Sequence, residues 1–254
     1  MGESMKFEEV MEKFEKLREK LKQEPPVLFD NVRKLAFVGD IHGDAETVEY
    51  VKENLLGKRK VVFLGDFVDR GERGTKVACE VADLKLKGED VVILPGNHDI
   101  SLNVYPRDWK LQLVREFGSK WREVELAYVS AMKEAPVAYV NRAYKLLALH
   151  GFIPKRRWDI EKWEKGDEEI VWNDPEITGS APGRSPRGVG WVISNEETLE
   201  FLRKNRLSVI VRSHQPYLNE VFEMNGFRIV NVGSSSHYGK RGSYLLPEGE
   251  IKFF

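Results

Sequence analysis

Short apolar runs alternate with amphipathic stretches along the first half of the chain. Residues 34–38, 60–64 and 90–94 are nearly continuous apolar runs rich in β-branched side chains, which is typical of buried strands. Residues 45–56 and 75–87 lie between these runs and have a helical pattern. Strands that alternate with helices in this way indicate an α/β fold.

The second half of the chain extends the predicted sheet and then forms hairpins. Further strands are predicted at residues 146–149, 208–211 and 228–232, and a mostly helical segment at residues 107–133. Antiparallel hairpins are predicted for 137–140 with 146–149, for 221–224 with 227–232 around Asn225-Gly226, and for 243–246 with 250–254. Residues 173–190 contain several prolines and glycines, so we expect a long loop there.

An amphipathic helix is predicted before the first strand. Residues 7–22 place apolar side chains at spacings of three, four and seven, and Pro25-Pro26 ends the pattern. We expect this helix to pack on the domain that follows, and binding to a membrane surface or a partner is the alternative. The expected organisation is an N-terminal packing helix at residues 1–26 and one domain at residues 27–254.

Composition and charge exclude several classes of protein. The 254 residues include 40 lysines and arginines against 41 acidic residues, so the net charge is −1, whereas a dedicated nucleic-acid binder is strongly basic. No run reaches the roughly 18 apolar residues needed to cross a bilayer, and residues 1–10 lack the apolar stretch of a signal peptide. A single cysteine, Cys79, indicates a reducing compartment. We therefore expect a cytoplasmic protein that binds neither nucleic acid nor membrane.

The balance of residue types also bears on the habitat of the source organism. Charged residues make up 32% of the chain, whereas it contains only three glutamines and one cysteine. This composition is typical of hyperthermophile proteins, and an ordinary charged cytosolic enzyme is the alternative. We expect a thermophile.

Polar side chains follow five of the predicted strands, at the point where each strand ends. Because ligands of α/β sheets bind beyond the carboxyl ends of the strands, we expect these side chains to meet at one edge. Four of the five histidines lie directly after these strands. The candidate ligands are Asp40, His42, Asp66, Asn97, His150 and His214.

This mixture of carboxylate, amide and imidazole groups predicts a metal site. Such ligands suit Mn²⁺, Fe or Zn²⁺ better than Ca²⁺. Six ligands are more than one four-coordinate ion uses, whereas one carboxylate can bridge two ions about 3.5–4 Å apart. For any single motif a helix-capping aspartate or a hydrogen-bonded core histidine is the alternative, but recurrence at five strand ends favours the metal site.

Three glycine-flanked blocks carry most of these residues, namely residues 39–43, 65–71 and 96–99. They match the patterns GDxHG, GDxVDRG and GNH followed by Glu or Asp, and two later blocks lie at residues 150–151 and 212–214. In these blocks the chain resembles the phosphoprotein phosphatase family, the calcineurin-like serine/threonine phosphatases. The resemblance implies an αββα metallophosphoesterase with a dinuclear metal site, of the small prokaryotic or archaeal type.

The resemblance also implies how the ligands divide between two ions. The first ion would be held by Asp40 and His42, the second by Asn97, His150 and His214, and both by Asp66. A hydroxide that bridges the metals would attack phosphorus directly and in line. His98 would protonate the leaving oxygen, and Asp69 would orient the His98 imidazole.

Phosphate contacts follow from the same resemblance. The residues implied are Arg70, Arg187, Asn97 and Tyr238, with Arg70 also counted as part of the catalytic group. Arg184 is the alternative to Arg187, and Arg212 is a candidate supporting residue. Residues 172–175 resemble the segment that lines the family's cleft, and a simple Asn-Asp-Pro turn is the alternative.

These expectations converge on a metal-dependent phosphomonoester hydrolase, and the resemblance favours a serine/threonine protein phosphatase. Its cofactors would be two divalent metal ions per chain, with Mn²⁺ expected in vitro, and its substrate a phosphoprotein or phosphopeptide. A diadenosine tetraphosphatase or broad-specificity nucleotide phosphatase is the first alternative. The second is a metal-holding scaffold that binds a partner without catalysis.

Overall fold

The computed structural model describes residues 5–177 and 181–254, so residues 1–4 of the predicted N-terminal unit and residues 178–180 of the predicted loop lie outside the described residues. Strands β1 to β14 are Val27–Asp30, Leu35–Val38, Lys60–Phe63, Val91–Ile93, Ala138–Asn141, Leu146–Ala148, Asp174–Pro175, Gly183–Arg184, Trp191–Ile193, Val209–Arg212, Glu220–Met224, Phe227–Asn231, Gly242–Leu246 and Glu250–Phe253. Helices α1 to α8 are Phe7–Lys22, Ala45–Tyr50, Gly74–Leu86, Asn97–Ile100, Trp109–Phe117, Trp121–Met132, Glu168–Trp172 and Asn195–Asn205.

Two mixed sheets form the centre of the molecule. The larger sheet has the strand order β1-β5-β6-β10-β12-β11, and the smaller one has the order β14-β13-β2-β3-β4. Strands β2, β3 and β4 are parallel to one another, as are β6, β10 and β12. The carboxyl ends of each parallel set therefore lie at one edge of its sheet, which is where the candidate ligands follow in sequence.

Alternation of side chains along each strand produces four layers. In β2, Leu35 and Phe37 join a core between the two sheets, whereas Ala36 packs into the core formed with the helices. In β10, Val211 faces the other sheet while Ile210 belongs to a third core on the outer side of the larger sheet. Because successive side chains point to opposite faces, apolar runs of this kind need cover on both faces. The predicted αββα fold is confirmed.

Helix α1 lies over the smaller sheet against α3 and α6. Its side chains Val10, Phe14, Leu17 and Leu21 are buried in the same core as the helices below. The ring centroid of Phe14 lies 5.2 Å from that of Tyr128 in α6, and Lys13 makes a 2.8 Å ion pair with Asp83 in α3. The division of the chain into residues 1–26 and 27–254 stays a prediction.

Several boundaries and elements differ from the sequence expectations. The predicted 45–56 helix is α-helical only to Tyr50 and continues as a π-helical turn over Val51–Leu55. Strand β1 was not predicted, because it is a four-residue edge strand that is only partly buried. Within the predicted loop at residues 173–190, β7 and β8 pair with β9 in a small three-stranded sheet. All three predicted hairpins are present.

Candidate metal centre

The loops after five strands bring the candidate ligands together in tightly bent backbone. Nine non-glycine residues in the described chain have positive φ, and six of them are candidate site residues: Asp40, His42, Asp66, Asp69, Arg70 and His214. This conformation costs a residue with a side chain about 1–2 kcal/mol relative to the right-handed region. Backbone strain of this kind is concentrated at functional sites in proteins.

Two glycines allow the second and third loops to touch. A Cβ atom on Gly96 would lie 2.1 Å from Oδ1 of Asp66, and a Cβ atom on Gly65 would lie 2.2 Å from the backbone nitrogen of Gly96. Gly65 also has a φ of +91°. Only glycine fits this contact, which holds Asp66 and Asn97 on adjacent backbones.

A first cluster consists of Asp40, His42 and Asp66, whose ligand atoms all lie within 4.8 Å of one another. Nδ1 of His42 lies 2.8 Å from the carbonyl oxygen of Val68, so this nitrogen donates and Nε2 keeps its lone pair. Nε2 in turn lies 3.5 Å from Oδ2 of Asp66. Oδ2 of Asp40 is buried and has no hydrogen-bond partner within residues 5–177 and 181–254. An unpartnered carboxylate oxygen beside an imidazole lone pair fits a bound cation.

A second cluster is centred on the amide oxygen of Asn97. This oxygen lies 3.0 Å from Nε2 of His150 and 2.9 Å from Nδ1 of His214, and these two nitrogens are 3.2 Å apart. Nδ1 of His150 donates to the carbonyl oxygen of Leu64 at 2.7 Å, which leaves a lone pair on Nε2. Oδ2 of Asp66 is 3.6 Å from the same Nε2, so Asp66 faces both clusters.

Burial shifts the pKa values of these groups in the directions that disfavour their charged forms. It raises the pKa of Asp40 to about 6 and that of Asp66 well above its usual value, so both carboxylates are unfavourable without a cation. It lowers the pKa values of His42, His150 and His214, so all three imidazoles stay neutral. Neutral imidazole is the form that binds metals.

His98 and Asp69 form a buried pair beside the two clusters. Nδ1 of His98 lies 2.7 Å from Oδ2 of Asp69, while the backbone N–H of Trp109 donates to Oδ1 of the same carboxylate at 2.8 Å. The backbone N–H of His98 also donates to Oδ1 of Asp66 at 2.9 Å. Asp69 therefore holds the imidazole at Nδ1 and Asp66 holds the backbone of the same residue, so Nε2 is the ring nitrogen that stays available.

A cavity of about 260 Å³ opens onto both clusters. Among the side chains that line it are Arg70, Arg187, Trp172 and Tyr238. Arg184, the alternative to Arg187, lies instead with its guanidinium carbon 4.0 Å from the ring centroid of Trp191. A larger open groove between α1 and α3 is lined by charged side chains of both signs and includes none of the candidate site residues.

Tyr238 lies at the edge of this cavity. Its ring centroid is 5.6 Å from the guanidinium carbon of Arg70 and 5.8 Å from the ring centroid of His42. Burial raises the pKa of its hydroxyl to about 12. This hydroxyl has no hydrogen-bond partner within the described part of the chain.

Asp174 was not among the site residues predicted from sequence, yet it joins two arginines at the cavity. Its Oδ2 accepts from Nε of Arg187 at 2.9 Å, and its Oδ1 accepts from Nη2 of Arg212 at 2.9 Å. Arg212 is completely buried and also donates to the backbone oxygen of Gly151 at 2.7 Å. The Trp172-Asn173-Asp174-Pro175 segment was the available signal, and of its residues Trp172 lines the cavity.

Asp99 is a second residue that sequence reasoning did not assign to the site. Its Oδ2 accepts the backbone N–H groups of Asp66 at 2.7 Å and Gly96 at 2.8 Å. Its Oδ1 accepts the N–H of Phe67 at 3.1 Å and the hydroxyl of Tyr128 at 2.7 Å. Asp99 therefore ties the loop of Asp66 to the loop of Asn97. No sequence pattern indicates that Tyr128 on α6 contacts Asp99.

Comparisons with known proteins agree with this geometry. The family model for calcineurin-like phosphoesterases matches residues 33–218. The catalytic subunit of serine/threonine-protein phosphatase 4 from Kluyveromyces lactis is 28% identical over 217 residues, which is 79% of this chain and 68% of that protein. Serine/threonine-protein phosphatase rdgC from Drosophila melanogaster is 27% identical over 271 residues, and the match covers 91% of this chain but only 40% of that protein.

A solved structure shows the same fold. A protein serine/threonine phosphatase from Saccharomyces cerevisiae superposes with a TM-score of 0.79 at 21% sequence identity. The match covers 98% of this chain and 90% of that one. No helix among the described residues is long and apolar enough to cross a membrane.

Proposed function

The chain belongs to the calcineurin-like phosphoesterase family, and on that basis we propose that it is a metal-dependent phosphatase that hydrolyses phosphoserine and phosphothreonine in proteins. The observation that carries the proposal is the pair of ligand clusters that share Asp66 beside the His98–Asp69 pair. The similarity to serine/threonine phosphatases supports protein substrates.

The two clusters fit a pair of divalent cations. Asp40 and His42 would hold one ion, and Asn97, His150 and His214 the other, with Asp66 shared between them. When bound, such ions would neutralise charge on the phosphoryl group and lower the pKa of a bound water molecule. We propose Mn²⁺, Fe or Zn²⁺ as the metals, because these ions accept both imidazole and carboxylate ligands.

His98 is the proposed donor of a proton to the leaving oxygen. Since its Nδ1 is engaged by Asp69, the proton available for transfer is on Nε2. The Asp69 carboxylate stabilises the charged imidazolium, and the N–H of Trp109 keeps that carboxylate in place. General acid catalysis of this kind contributes about 10²–10⁴-fold in rate.

Arg70 and Arg187 are the proposed contacts for the phosphoryl oxygens. Both side chains line the cavity from different sides of the fold, since Arg70 follows β3 and Arg187 lies between β8 and β9. Their planar guanidinium groups match the geometry of phosphate. Asn97 and Tyr238 line the same cavity and are proposed as further contacts.

The proposed cellular setting is the cytoplasm, with phosphoproteins as substrates. Support comes from the single cysteine, which is buried and free, since a lone thiol forms no intramolecular disulfide. The net charge of −1 supports the absence of a nucleic-acid partner.

The test is hydrolysis by the purified protein supplied with Mn²⁺, Fe²⁺ or Zn²⁺ in turn. Phosphate release measures turnover of the monoesters, and chromatography of the nucleotide products measures turnover of diadenosine tetraphosphate, whose cleavage yields nucleotides rather than free phosphate. Phosphoserine and phosphothreonine peptides, p-nitrophenyl phosphate and diadenosine tetraphosphate would be compared. We expect turnover of the peptides, abolished by a chelator and reduced about 10²–10⁴-fold by His98→Asn with metal content retained. Lys110→Gln, a change at an exposed residue, serves as the control. Absence of turnover on every substrate refutes the proposal, and turnover of diadenosine tetraphosphate alone supports the nucleotide alternative.

A further inference from the structure

An ion pair between Asp44 and Arg241 connects two loops that both reach the metal centre. Nε of Arg241 donates to Oδ2 of Asp44 at 2.8 Å, and Nη2 donates to Oδ1 at 3.2 Å. The Asp44 side chain is only 5% exposed and that of Arg241 is 21% exposed, so water weakens this pair less than an ordinary surface pair. Asp44 follows His42 by two residues, and Arg241 follows Tyr238 by three.

The backbone before Tyr238 is held by the same carboxylate. Oδ2 of Asp44 also accepts the backbone N–H of Ser236 at 2.8 Å. Just upstream, the N–H of Ser234 donates to the carbonyl oxygen of Gly39 at 2.7 Å. Asp44 therefore holds the segment of residues 235–241 on both sides of Tyr238, through a backbone group before it and a side chain after it.

No hydrogen bond from its side chain fixes the position of the Tyr238 ring. Its hydroxyl lacks a hydrogen-bond partner within residues 5–177 and 181–254. The ring contacts the neighbouring His237 at a centroid distance of 5.0 Å, and it lies 5.6 Å from the guanidinium carbon of Arg70 and 5.8 Å from the ring centroid of His42. The place of the ring over the cavity is therefore set by the anchors of the 235–241 segment. The guanidinium of Arg70 is also incompletely held: Nη2 donates to the carbonyl oxygen of Tyr105 at 3.3 Å, but the buried Nε has no partner in the part of the chain that the structure describes.

We propose that Asp44 and Arg241 are positioning residues that hold Tyr238 against Arg70 and so prepare the cavity for the phosphoryl group. The inference rests on the proposed phosphatase function and extends it to residues outside the ligand clusters. Without the ion pair, the 235–241 segment and the side chains of Tyr238 and Arg70 would be less ordered in the free protein. They would then have to become ordered when the substrate binds. Ordering one flexible side chain on binding weakens affinity about two- to tenfold.

The expected signature is a change in KM with little change in kcat. Arg241→Gln and Asp44→Asn should each raise KM for p-nitrophenyl phosphate, and Ki for inorganic phosphate, about two- to tenfold, with kcat within about twofold of the parent. The double variant should raise KM by less than the product of the two single effects, because both changes break the Asp44–Arg241 ion pair. Each change also alters a separate contact, that of Asp44 with the N–H of Ser236 or that of Arg241 with Glu46. Arg241→Lys, which keeps the charge but not the fork, should recover part of the loss.

A matched control is available at the opposite end of the smaller sheet, near the amino ends of β2 and β3. Arg59 makes a paired contact with Glu248, at 2.9 and 2.6 Å, and donates to the carbonyl oxygen of Leu246. Arg59→Gln breaks an interaction of the same type away from the cavity. We expect it to leave KM and Ki unchanged, although the melting temperature falls by a similar amount in both arginine variants.

The decisive measurement tests whether Arg241→Gln changes KM through Tyr238. In a Tyr238→Ala background, Arg241→Gln should change KM by less than about twofold, because the positioned group is already absent. An unchanged penalty in that background overturns the inference, as does an unaltered KM in well-folded Arg241→Gln protein. Both outcomes are compatible with normal turnover by the wild-type protein. If the proposed function itself fails, the wild-type protein releases no phosphate, and the inference is then refuted together with that function.

Discussion

The hydrogen bond from Tyr128 to Asp99 offers a direct measure of how strongly the core supports the metal centre. The hydroxyl of Tyr128 donates to Oδ1 of Asp99 at 2.7 Å, and both side chains are fully buried. The Tyr128 ring packs against Phe14 and Trp109, at centroid distances of 5.2 and 5.1 Å. Tyr128→Phe removes the hydroxyl and keeps these ring contacts.

The free-energy cost of removing this hydroxyl follows from the charge of its acceptor, the Asp99 carboxylate. A hydrogen bond to a charged group contributes about 1.5–3 kcal/mol, whereas a neutral one contributes about 0.5–1.5 kcal/mol. We therefore expect Tyr128→Phe to lower the free energy of unfolding by about 1.5–3 kcal/mol at pH 8. In a domain of this size that corresponds to a fall in melting temperature of about 3–12 °C. The three backbone N–H groups still hold Asp99, so kcat/KM of the folded variant should stay within about threefold.

Urea unfolding of the wild type and of two phenylalanine variants checks this expectation. Tyr144→Phe is the matched control, because its hydroxyl donates to the backbone oxygen of Arg33 at 2.7 Å in an exposed setting. It should cost clearly less than Tyr128→Phe. A loss below about 0.5 kcal/mol for Tyr128→Phe, or an equal loss in both variants, would refute the assignment of Asp99 as a charged anchor.

Asp99→Asn extends the same reasoning from stability to metal binding. With the amide oxygen at the Oδ2 position, the NH₂ group meets the N–H of Phe67; in the reverse orientation it meets those of Asp66 and Gly96. Either orientation leaves at least one buried N–H unsatisfied and loosens the loop of Asp66. Metal affinity should therefore fall about 10–100-fold, the usual effect of losing a group that orients a ligand. Calorimetric titration with Mn²⁺ measures it, and unchanged affinity would contradict the role.

Three further predictions concern other parts of the molecule. Asp174→Asn weakens the ion pairs that hold Arg187 and Arg212, so KM for a phosphopeptide should rise severalfold in steady-state assays; an unchanged KM would show that Arg187 is positioned otherwise. Burial alone would raise the pKa of Asp30, but hydrogen bonds from Lys60 and two backbone N–H groups lower it, so its stabilisation is present near pH 7 and lost on acidification. Asp30→Asn should thus destabilise the protein to urea at pH 7 and make no difference near pH 2. The composition predicts a melting temperature above about 90 °C by calorimetry, and a value of about 45–65 °C, the usual mesophile range, would contradict it.

The parts of the site that were predictable are those encoded by position along a strand. Asp40, Asp66 and Asn97 each follow a parallel strand of the smaller sheet, and the rule that ligands meet at carboxyl ends was enough to bring them together. His150 and His214 follow strands of the larger sheet, so they converge only because the two sheets pack face to face. The resemblance implied that packing through the αββα fold, whereas the apolar runs indicated only that each strand is buried on both faces.

The supporting contacts were not predictable, because their partners are distant in sequence and carry no periodic signal. Tyr128 lies 29 residues after Asp99, and on its helix it is one more apolar position. Asp174 and Arg212 are 38 residues apart and belong to different strands. Asp44 and Arg241 are separated by 197 residues and meet only because β13 pairs with β2. Such pairs depend on the assembled tertiary structure, whereas strand ends depend on local pattern.

The backbone at this site is strained at six positions that carry candidate site residues. Left-handed positions favour glycine, and among residues with a side chain they favour Asn, Asp and His; five of the six carry Asp or His, and the sixth carries Arg70. The cost is about 1–2 kcal/mol for an ordinary side chain and smaller for Asp, so the six positions together cost the fold several kcal/mol, a substantial part of the stability of a typical domain. Substituting glycine would relieve that strain but would also remove the side chain that faces the cavity. Such strain persists only where the surrounding structure fixes the backbone, and here the Asp99 anchors and the contact between Gly65 and Gly96 do so. Four of the six strained residues are proposed metal ligands, so the candidate site is built at the expense of local stability.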